Sequence, residues 1–469
     1  MKDRRKSQSG IVTMELLIAL SIIILTLTSA TLLTFGVQSN LVTAQNYQRS
    51  IYETKKLIED ARARARVNFL SLRTIPEGDF EIYKKNLFVY PEGEFEKRIL
   101  GTLDWAGGSV SLRTALTDWN KGKCNIDLSK NWREPKEYAY ADLSSPNSGT
   151  GIAIKDKVAF LTSDPSSAPL YDFYAFDISS VFYGKGELPV LKSFSTGLGL
   201  TDVKISGNFA YASAHSALNQ LVIIDVGDPT KLGDRGVKSS LDVTEVGDSA
   251  YGNTLFFNSD KIYLGLTKSN GPEFYIIDVT DPASPSVING SEFEVDGAVN
   301  SIFVENNTAY IATASTSQLL TLNIENPSSV RLIDKYSSSA LTGQSIAKNN
   351  NIIYFGRIGG SGNPKLFSFS DNNLNSPLWN MNMGSQSGIY NMFFYNNLLF
   401  MNNSDPNDGF QIWDITGADG ETAPVRFDTE NLNIEQGQPT GILCNGGLLF
   451  VAQNGEHGLT VIGQTQSNE

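Results

Sequence analysis

The stretch Leu221-Val222-Ile223-Ile224-Asp225 decides the fold, because the chain repeats its pattern seven times. Each copy is a short apolar strand that closes on an acidic or small residue. The copies end at Asp177, Asp225, Asp278, Asn323, Ser370, Asp414 and Gly463, and successive ends lie 44 to 53 residues apart. A period in the forties with four short strands in each unit predicts an all-β, seven-bladed β-propeller.

A second apolar strand precedes each copy at a regular distance. These strands cover residues 158–161, 209–212, 261–264, 308–311, 352–355, 398–401 and 448–451. The strand pairs resemble the LVIVD-type repeat, a β-propeller family of bacterial surface proteins, over roughly two-thirds of the chain. Asp-Pro or Asn-Pro follows the third strand at residues 228–229, 281–282 and 326–327. We expect these residues to end strands rather than to bind a metal.

The last repeat needs a strand from elsewhere in the chain. It stops near Ile462 without a fourth strand, so a ring built only from Gly151 onward would be open. The alternating segment Glu137-Tyr-Ala-Tyr-Ala-Asp-Leu143 is predicted to pair beside residues 459–462 and to protect that edge. The propeller is therefore predicted to span residues 137–463, after a linker over 121–136 and before a tail over 464–469.

Cysteine occurs only at Cys124, near the predicted linker, and at Cys444, in the last repeat. Outside the cytoplasm the two thiols could form a disulfide that clamps the linker against the closing blade. Two unpaired buried thiols are the alternative.

The N-terminus has a basic leader, Met1-Lys-Asp-Arg-Arg-Lys-Ser-Gln-Ser-Gly10, followed by the apolar run 11–25, which one acid, Glu15, interrupts. No charged residue occurs between Glu15 and Arg49. A carboxylate inside a segment long enough to span a bilayer is costly and usually functional.

This leader resembles the signal of type IV pilins and pseudopilins. The resemblance implies that residues 1–10 are a leader peptide, that a prepilin peptidase cuts between Gly10 and Ile11, and that the new N-terminus is methylated. It also implies that Glu15 neutralises the terminal amine of a neighbouring subunit during assembly. Two alternatives are a secretory signal peptide with a cut after Ala30 and a plain membrane anchor.

One long helix over 11–72 is predicted, because no Pro occurs before Pro76 and Gly36 is the only glycine between Ile11 and Arg73. Its second half carries an apolar stripe, which comprises Tyr47, Ile51, Thr54, Ile58, Ala61, Ala65, Phe69 and Leu72. A small antiparallel sheet over 78–119 is predicted to cover this stripe, with Pro-Glu-Gly turns at 76–78 and 91–93. Residues 11–120 are therefore predicted to form an α+β domain that resembles a pilin.

Few residues qualify for a chemical site. His215 and His457 lie in polar loops, without a third ligand at metal-binding spacing, and the glycines at 197–199 and 359–362 are expected to join strands. The loop 404–409 has oxygen ligands for Ca²⁺ but lacks EF-hand spacing, so bound Ca²⁺ stays open. No catalytic residue, metal site or cofactor is predicted. A net charge of −13, with the basic residues gathered near the N-terminus and at 62–66, disfavours nucleic acid as a partner.

The chain is therefore predicted to be a minor-pilin-like subunit of a type IV pilus or related fibre, and not an enzyme. It would start in the cytoplasmic membrane with its N-terminus inside, and then join other pilin subunits in an extracellular fibre. The propeller would bind an unknown ligand at the cell surface. One alternative is a type II secretion pseudopilin. Another is a membrane-anchored propeller enzyme that acts on extracellular glycans, for which the candidate residues are Asp164, Tyr171, Asp405 and Asp408.

Overall fold

The computed structural model describes residues 6–67, 74–80, 82–91, 96–117, 124, 126, 132, 135–143, 148–164, 171–179, 181, 186–234, 236–245, 247–338, 341–359, 363–382, 388–403, 409–415, 425–427, 439–454 and 457–463. The chain divides into two compact units, Met1–Gly122 and Lys123–Glu469.

The first unit begins with helix α1 (Lys6–Val67), which is 62 residues long. Within the described residues, α1 is the one helix long and apolar enough to cross a membrane. All described side chains from Met14 to Gln38 are exposed. The hydroxyl groups in this stretch donate to carbonyls one turn back, as Ser21 does to Leu17 O at 2.8 Å and Thr28 to Ile24 O at 2.7 Å. These polar groups therefore need no water.

A four-stranded antiparallel sheet follows α1, in the order β1-β2-β3-β4. Its strands are β1 (Ile75–Phe80), β2 (Tyr83–Pro91), β3 (Glu96–Trp105) and β4 (Gly108–Thr117). The turn predicted at 76–78 is wrong, because these residues lie inside β1. A bulge between Ile75 and Gly78 and the edge position of β1 allow the strand to contain Pro76.

The second half of α1 packs on this sheet through a stripe that differs in part from the predicted one. Its buried residues are Ser50, Thr54, Ile58 and Ala61, whereas Tyr47 is 51% exposed. Small side chains are needed because the helix lies close to Gly101, where an added Cβ would be 3.2 Å from Thr54 Cγ2. The side chain of Ala65, with Phe69 and Leu72, falls outside the described residues.

The second unit is a β-propeller of seven blades, numbered here in chain order. It starts with β5 (Lys136–Asp142), which belongs to the last blade. Blade 1 contains β6 (Gly149–Lys155), β7 (Val158–Ser163), β8 (Phe173–Asp177) and, after the short β9 (Gly186–Glu187), β10 (Val190–Phe194). Blade 2 contains β11 (Leu200–Ser206), β12 (Phe209–Ala214), β13 (Leu221–Asp225) and β14 (Val237–Leu241), with a 3-10 turn at Pro229–Lys231.

The remaining blades repeat this plan from the inner strand outward. Blade 3 contains β15 (Gly252–Asn258), β16 (Lys261–Leu266), β17 (Phe274–Asp278) and β18 (Ser286–Val287). Blade 4 contains β19 (Val299–Glu305), β20 (Thr308–Thr313), β21 (Leu319–Asn323) and β22 (Arg331–Tyr336). Blade 5 contains β23 (Thr342–Asn349), β24 (Ile352–Ile358), β25 (Leu366–Ser370) and β26 (Trp379–Met381). Blade 6 contains β27 (Ile389–Tyr395), β28 (Leu398–Asn403), β29 (Phe410–Asp414) and β30 (Val425–Arg426). Blade 7 contains β31 (Pro439–Asn445), β32 (Leu448–Gln453) and β33 (His457–Gly463).

The ring closes where the alternating segment before the first repeat predicts. Strand β5 pairs antiparallel with β33, with Ala141 opposite Leu459 and Tyr140 opposite Thr460. The short β9 then pairs parallel to β5. The inner strands β6, β11, β15, β19, β23, β27 and β31 touch in turn, and β31 touches β6. The N-terminal segment thus supplies the fourth strand of blade 7 and covers its open edge.

Each inner strand turns into the second strand of its blade through a two-residue hairpin loop. The first loop residue has a φ between 49° and 57° in all seven blades. These residues are Asp156, Gly207, Ser259, Asn306, Asn350, Asn396 and Gly446. Gly, Asn and Asp tolerate this left-handed backbone best, so composition and turn agree in six blades, and only Ser259 departs from that preference.

Part of the predicted linker belongs to the propeller core. Cys124, Ile126 and Trp132 are buried among side chains of blades 6 and 7, and the Trp132 ring meets that of Phe400 edge to face at 5.3 Å. A disulfide joins Cys124 to Cys444, with an S–S distance of 2.00 Å. The chain before β5 is therefore tied to blade 7 both covalently and by apolar packing.

Candidate functional site

A belt of seven bulged residues lines the central channel of the propeller. Near the start of each inner strand, one residue has no partner on the second strand and forms a β-bulge. We call these residues the bulge belt: Thr150, Thr201, Asn253, Asn300, Gln344, Tyr390 and Thr440. A bulge redirects a side chain that would otherwise lie between two blades. The seven side chains of the bulge belt therefore face the channel.

Five members of the bulge belt join neighbouring blades by the same hydrogen bond. Each donates to the main-chain oxygen that precedes the bulge of the next blade. The donor-to-acceptor pairs are Thr150 to Leu200 (2.5 Å), Thr201 to Gly252 (2.6 Å), Asn253 to Val299 (2.7 Å), Asn300 to Gly343 (2.7 Å) and Thr440 to Gly149 (2.5 Å). Ser345 and Asn391 bridge the other two junctions. The hydrogen bond from Thr440 to Gly149 crosses from blade 7 to blade 1.

The channel encloses a cavity of about 510 Å³ with mixed polar and apolar walls. Its charged groups include Lys204 and Asp202, whose Nζ and Oδ1 atoms are 2.6 Å apart. The second carboxylate oxygen of Asp202 accepts from the Leu255 amide at 3.2 Å. Burial raises the pKa of the Tyr390 phenol. The cavity therefore offers hydroxyl, amide and aromatic groups to a polar ligand.

Asp164, His215 and Tyr251 meet at one mouth of this channel. The Nδ1 atom of His215 is 2.7 Å from Asp164 Oδ2, and the His215 and Tyr251 rings are centred 3.9 Å apart. The three residues come from loops of blades 1 and 2 and from the connection into blade 3. Gly199, at φ 72°, lies beneath them, and a Cβ there would be 2.3 Å from Asp164 Oδ1. The close approach of Asp164 therefore requires this glycine.

His457 is placed in a similar way on blade 7. Its Nδ1 hydrogen-bonds Asp142, and its ring stacks on Tyr140 at 4.1 Å. Each histidine thus has a carboxylate and an aromatic neighbour. Among the described residues, no group of three or more His, Cys, Asp or Glu side chains could hold a metal ion.

Four buried polar side chains organise the loops on this side of the propeller, and sequence reasoning missed them. Each lies immediately before a third strand and is fully buried: Asp172, Gln220, Glu273 and Gln318. Asp172 accepts from the Thr196 amide at 2.7 Å, and Glu273 from the Val295 amide at 3.0 Å. Both carboxylates therefore hold the incoming loop instead of facing a substrate. A polar residue next to an apolar strand in successive repeats is the signal that could have found them.

The acidic residues that end the third strands have structural roles. Asp177 accepts from the Ser179 amide at 2.8 Å and Asp278 from the Thr280 amide at 2.8 Å. Hydrogen bonds from the Ser179 and Thr280 side chains and amides lower the pKa values of these two carboxyls. The acidic residue before Pro282 also holds the turn after its strand, since the Asp281 carboxylate accepts from the Ala283 amide at 2.9 Å.

The other predicted candidates are only partly described. Gly10, Ile11 and Glu15 lie within α1, but their side chains fall outside the described part. Asp405, Asp408 and most of the loop 404–409 also fall outside it. Tyr171 is 47% exposed, and its carbonyl accepts from the Tyr174 hydroxyl at 3.1 Å.

Sequence and structure comparisons agree on the propeller. The LVIVD repeat model matches residues 200–236 and 296–338, and no curated protein matches the chain. A putative 6-phosphogluconolactonase from Bacteroides fragilis is similar in structure, with a TM-score of 0.50 at 11% identity, over 78% of this chain and 99% of the other. BamB from Moraxella catarrhalis has a TM-score of 0.43 at 11% identity, over 84% of this chain and 99% of the other. At such identity the lactonase likeness concerns the fold alone.

Proposed function

We propose that this chain is a minor-pilin-like fibre subunit that displays a β-propeller for binding at the cell surface. The observation that carries the proposal is the division of α1 into two halves. The first half is apolar and exposed throughout its described residues, whereas the second half buries a stripe of mostly small residues on a four-stranded sheet. A helix of this kind needs lipid or other apolar helices around one half and its own domain around the other.

The N-terminal sequence supports the same role. Cleavage between Gly10 and Ile11 by a prepilin peptidase would make Glu15 the fifth residue of the chain that begins with the new amine. In a fibre, the amine of one subunit would pair with the Glu15 carboxylate of its neighbour, because neither charge is stable alone among apolar helices. The subunit would remain in the cytoplasmic membrane, with its N-terminus inside, until assembly. A type II secretion pseudopilin would use the same chemistry.

The propeller would provide the binding function. The mouth of its channel combines exposed His215, the Tyr251 ring and polar groups of the bulge belt, a mixture suited to a polar ligand. A membrane-anchored enzyme is the second candidate, because Asp164 and His215 form a hydrogen-bonded pair that could move a proton. The enzyme alternative would gain support if a bound sugar placed its glycosidic bond between two carboxylates of the propeller.

N-terminal sequencing of the protein from cells with an active prepilin peptidase tests the pathway. We expect a methylated Ile11 as the first residue. A start at Thr31 would favour secretion by an ordinary signal peptide, and an intact Met1 would contradict processing altogether.

Substitution of Glu15 tests assembly separately from processing. We expect Glu15→Ala to be cleaved normally but to be depleted from sheared fibres, because the amine of a neighbouring subunit would lose its partner. Glu59→Ala is the matched control, since Glu59 is an exposed acid farther along the same helix. Equal recovery of both variants in fibres would contradict the charge-pairing role.

A further inference from the structure

Blade 5 contains two buried cations without a counter-ion among the described residues. Arg357, at the end of β24, is 3% exposed, and Lys365, just before β25, is 2% exposed. They are neighbours across the ladder, since the Arg357 amide donates to the Lys365 carbonyl at 2.9 Å. Among the described residues, the buried Arg357 Nε atom has no hydrogen-bond partner, and Nη2 donates to the neutral Ser338 hydroxyl at 3.2 Å.

Two other buried charged side chains of the propeller, Glu273 and Lys348, have counter-ions. Glu273 occupies the position of Lys365 in blade 3 and meets Lys268 Nζ at 3.0 Å. The buried Lys348 ammonium lies 2.6 Å from Glu305 and 3.2 Å from Asp371. Arg357 and Lys365 have no such counter-ion among the described residues, although burial of an unpaired charge is strongly unfavourable.

The chain segments next to the two cations contain no acidic residue. The segments 336–345, 355–370 and 379–389, which contain both cations and the connections beside them, have no Asp or Glu.

Burial and the neighbouring Arg357 charge lower the pKa of Lys365, and burial lowers that of Arg357. Phe367 covers one face of the guanidinium, with Arg357 Cζ 5.1 Å from the ring centre.

We propose that Arg357 and Lys365 bind a small oxyanion at the end of blade 5 where β24 ends and β25 begins. A guanidinium offers a planar fork that matches the oxygens of phosphate, sulfate or carboxylate, and the ammonium adds a second charge. The burial of both cations limits the ligand to a free ion or to a single anionic group on a larger molecule. This site is independent of the fibre role of α1.

Thermal unfolding of the full chain in detergent tests the site, with phosphate, sulfate and acetate added at millimolar concentrations and constant ionic strength. We expect at least one of these oxyanions to raise Tm saturably, by roughly 3 °C or more at saturation. The anion that acts identifies the preferred group. A saturable rise at low concentration also differs from the general, non-saturating stabilisation by sulfate salts.

Lys365→Gln is the test variant, because Gln318 occupies the same position in blade 4. We expect it to lose the saturable rise and, without oxyanion, to unfold at or above the Tm of the unsubstituted protein, because an unpaired buried charge is gone. Lys268→Gln removes an exposed cation that carboxylates already pair, so it should keep the rise. The proposal is overturned if no oxyanion acts saturably, if the rise survives in Lys365→Gln, or if that variant is destabilised without any oxyanion.

Discussion

The disulfide between Cys124 and Cys444 closes a loop that contains almost the whole propeller, because 320 residues separate the two cysteines. In the chain-entropy model, a cross-link over such a loop reduces the entropy of the unfolded chain by about 19 cal/mol/K, or roughly 5 to 6 kcal/mol at 25 °C. We expect replacement of both cysteines by alanine to lower the free energy of unfolding by up to about 5 kcal/mol.

The change in Tm follows from the size of the unit. The unit Lys123–Glu469 has roughly 350 residues, and an unfolding entropy of about 2.1 cal/mol/K per residue gives about 0.7 kcal/mol/K in total. A loss of 5 kcal/mol therefore corresponds to a decrease in Tm of about 7 °C. Alanine is preferred to serine because both sulfurs are buried among apolar side chains, where a hydroxyl would add its own cost.

Differential scanning calorimetry should compare the oxidised protein, the reduced protein and the double alanine variant. The reduced protein and the variant should unfold at similar temperatures, both well below the oxidised protein. A thiol assay on the unfolded oxidised protein should detect no free cysteine. A decrease in Tm below about 1 °C with a fully formed disulfide would refute the reasoning, because the cross-link would then restrict the unfolded chain very little.

Three further sets of substitutions test the helix packing, the blade junctions and the strand ends. Gly101→Val should push α1 off its sheet, since even a Cβ would be 3.2 Å from Thr54 Cγ2. We expect the free energy of unfolding to fall by about 1 to 3 kcal/mol and proteolysis of the first unit to become faster. Gly101→Ala should be less affected. Thr440→Val removes a hydrogen bond across the ring closure and should cost about 0.5 to 1.5 kcal/mol in urea unfolding, and Thr201→Val, at an internal junction, should cost the same. Hydrogen bonds lower the pKa of Asp278 from its usual 3.8. The stabilisation that its carboxylate provides is therefore complete above that value and is lost as pH falls through the lower folded pKa. Asp278→Asn should weaken the acid-dependent loss of stability, and an unchanged acid profile would contradict this role.

The strands that could be predicted are those whose signal is local. The second and third strands of each blade are buried on both faces, so they appear in the sequence as short apolar runs. The closing strand β5 could be predicted because its alternation is strict and the last repeat lacks a fourth strand. The outer strands are weaker signals, since residues such as Val237 and Leu332 are exposed and no apolar pattern marks them.

The candidate site was less predictable, because it depends on contacts between repeats. Asp164 and His215 are 51 residues apart and meet only because their blades are neighbours. The bulge belt is invisible to a search for strands, since a bulge changes the register without changing the composition. The buried stripe of α1 also differs from the predicted one. Ser50 is polar but small and is buried, whereas the larger Tyr47 is exposed.

The two ends of the propeller differ in how much variation they allow. At one end every hairpin between the first and second strands has a two-residue loop, so its backbone is nearly the same in all blades. At the other end the connection between the second and third strands varies from three residues in blade 7 to nine in blade 1. Loop variation on a rigid scaffold is where binding functions usually reside. The mouth cluster of Asp164, His215 and Tyr251 lies at this variable end, as does the cation pair of blade 5, so a ligand of the displayed propeller should be sought there.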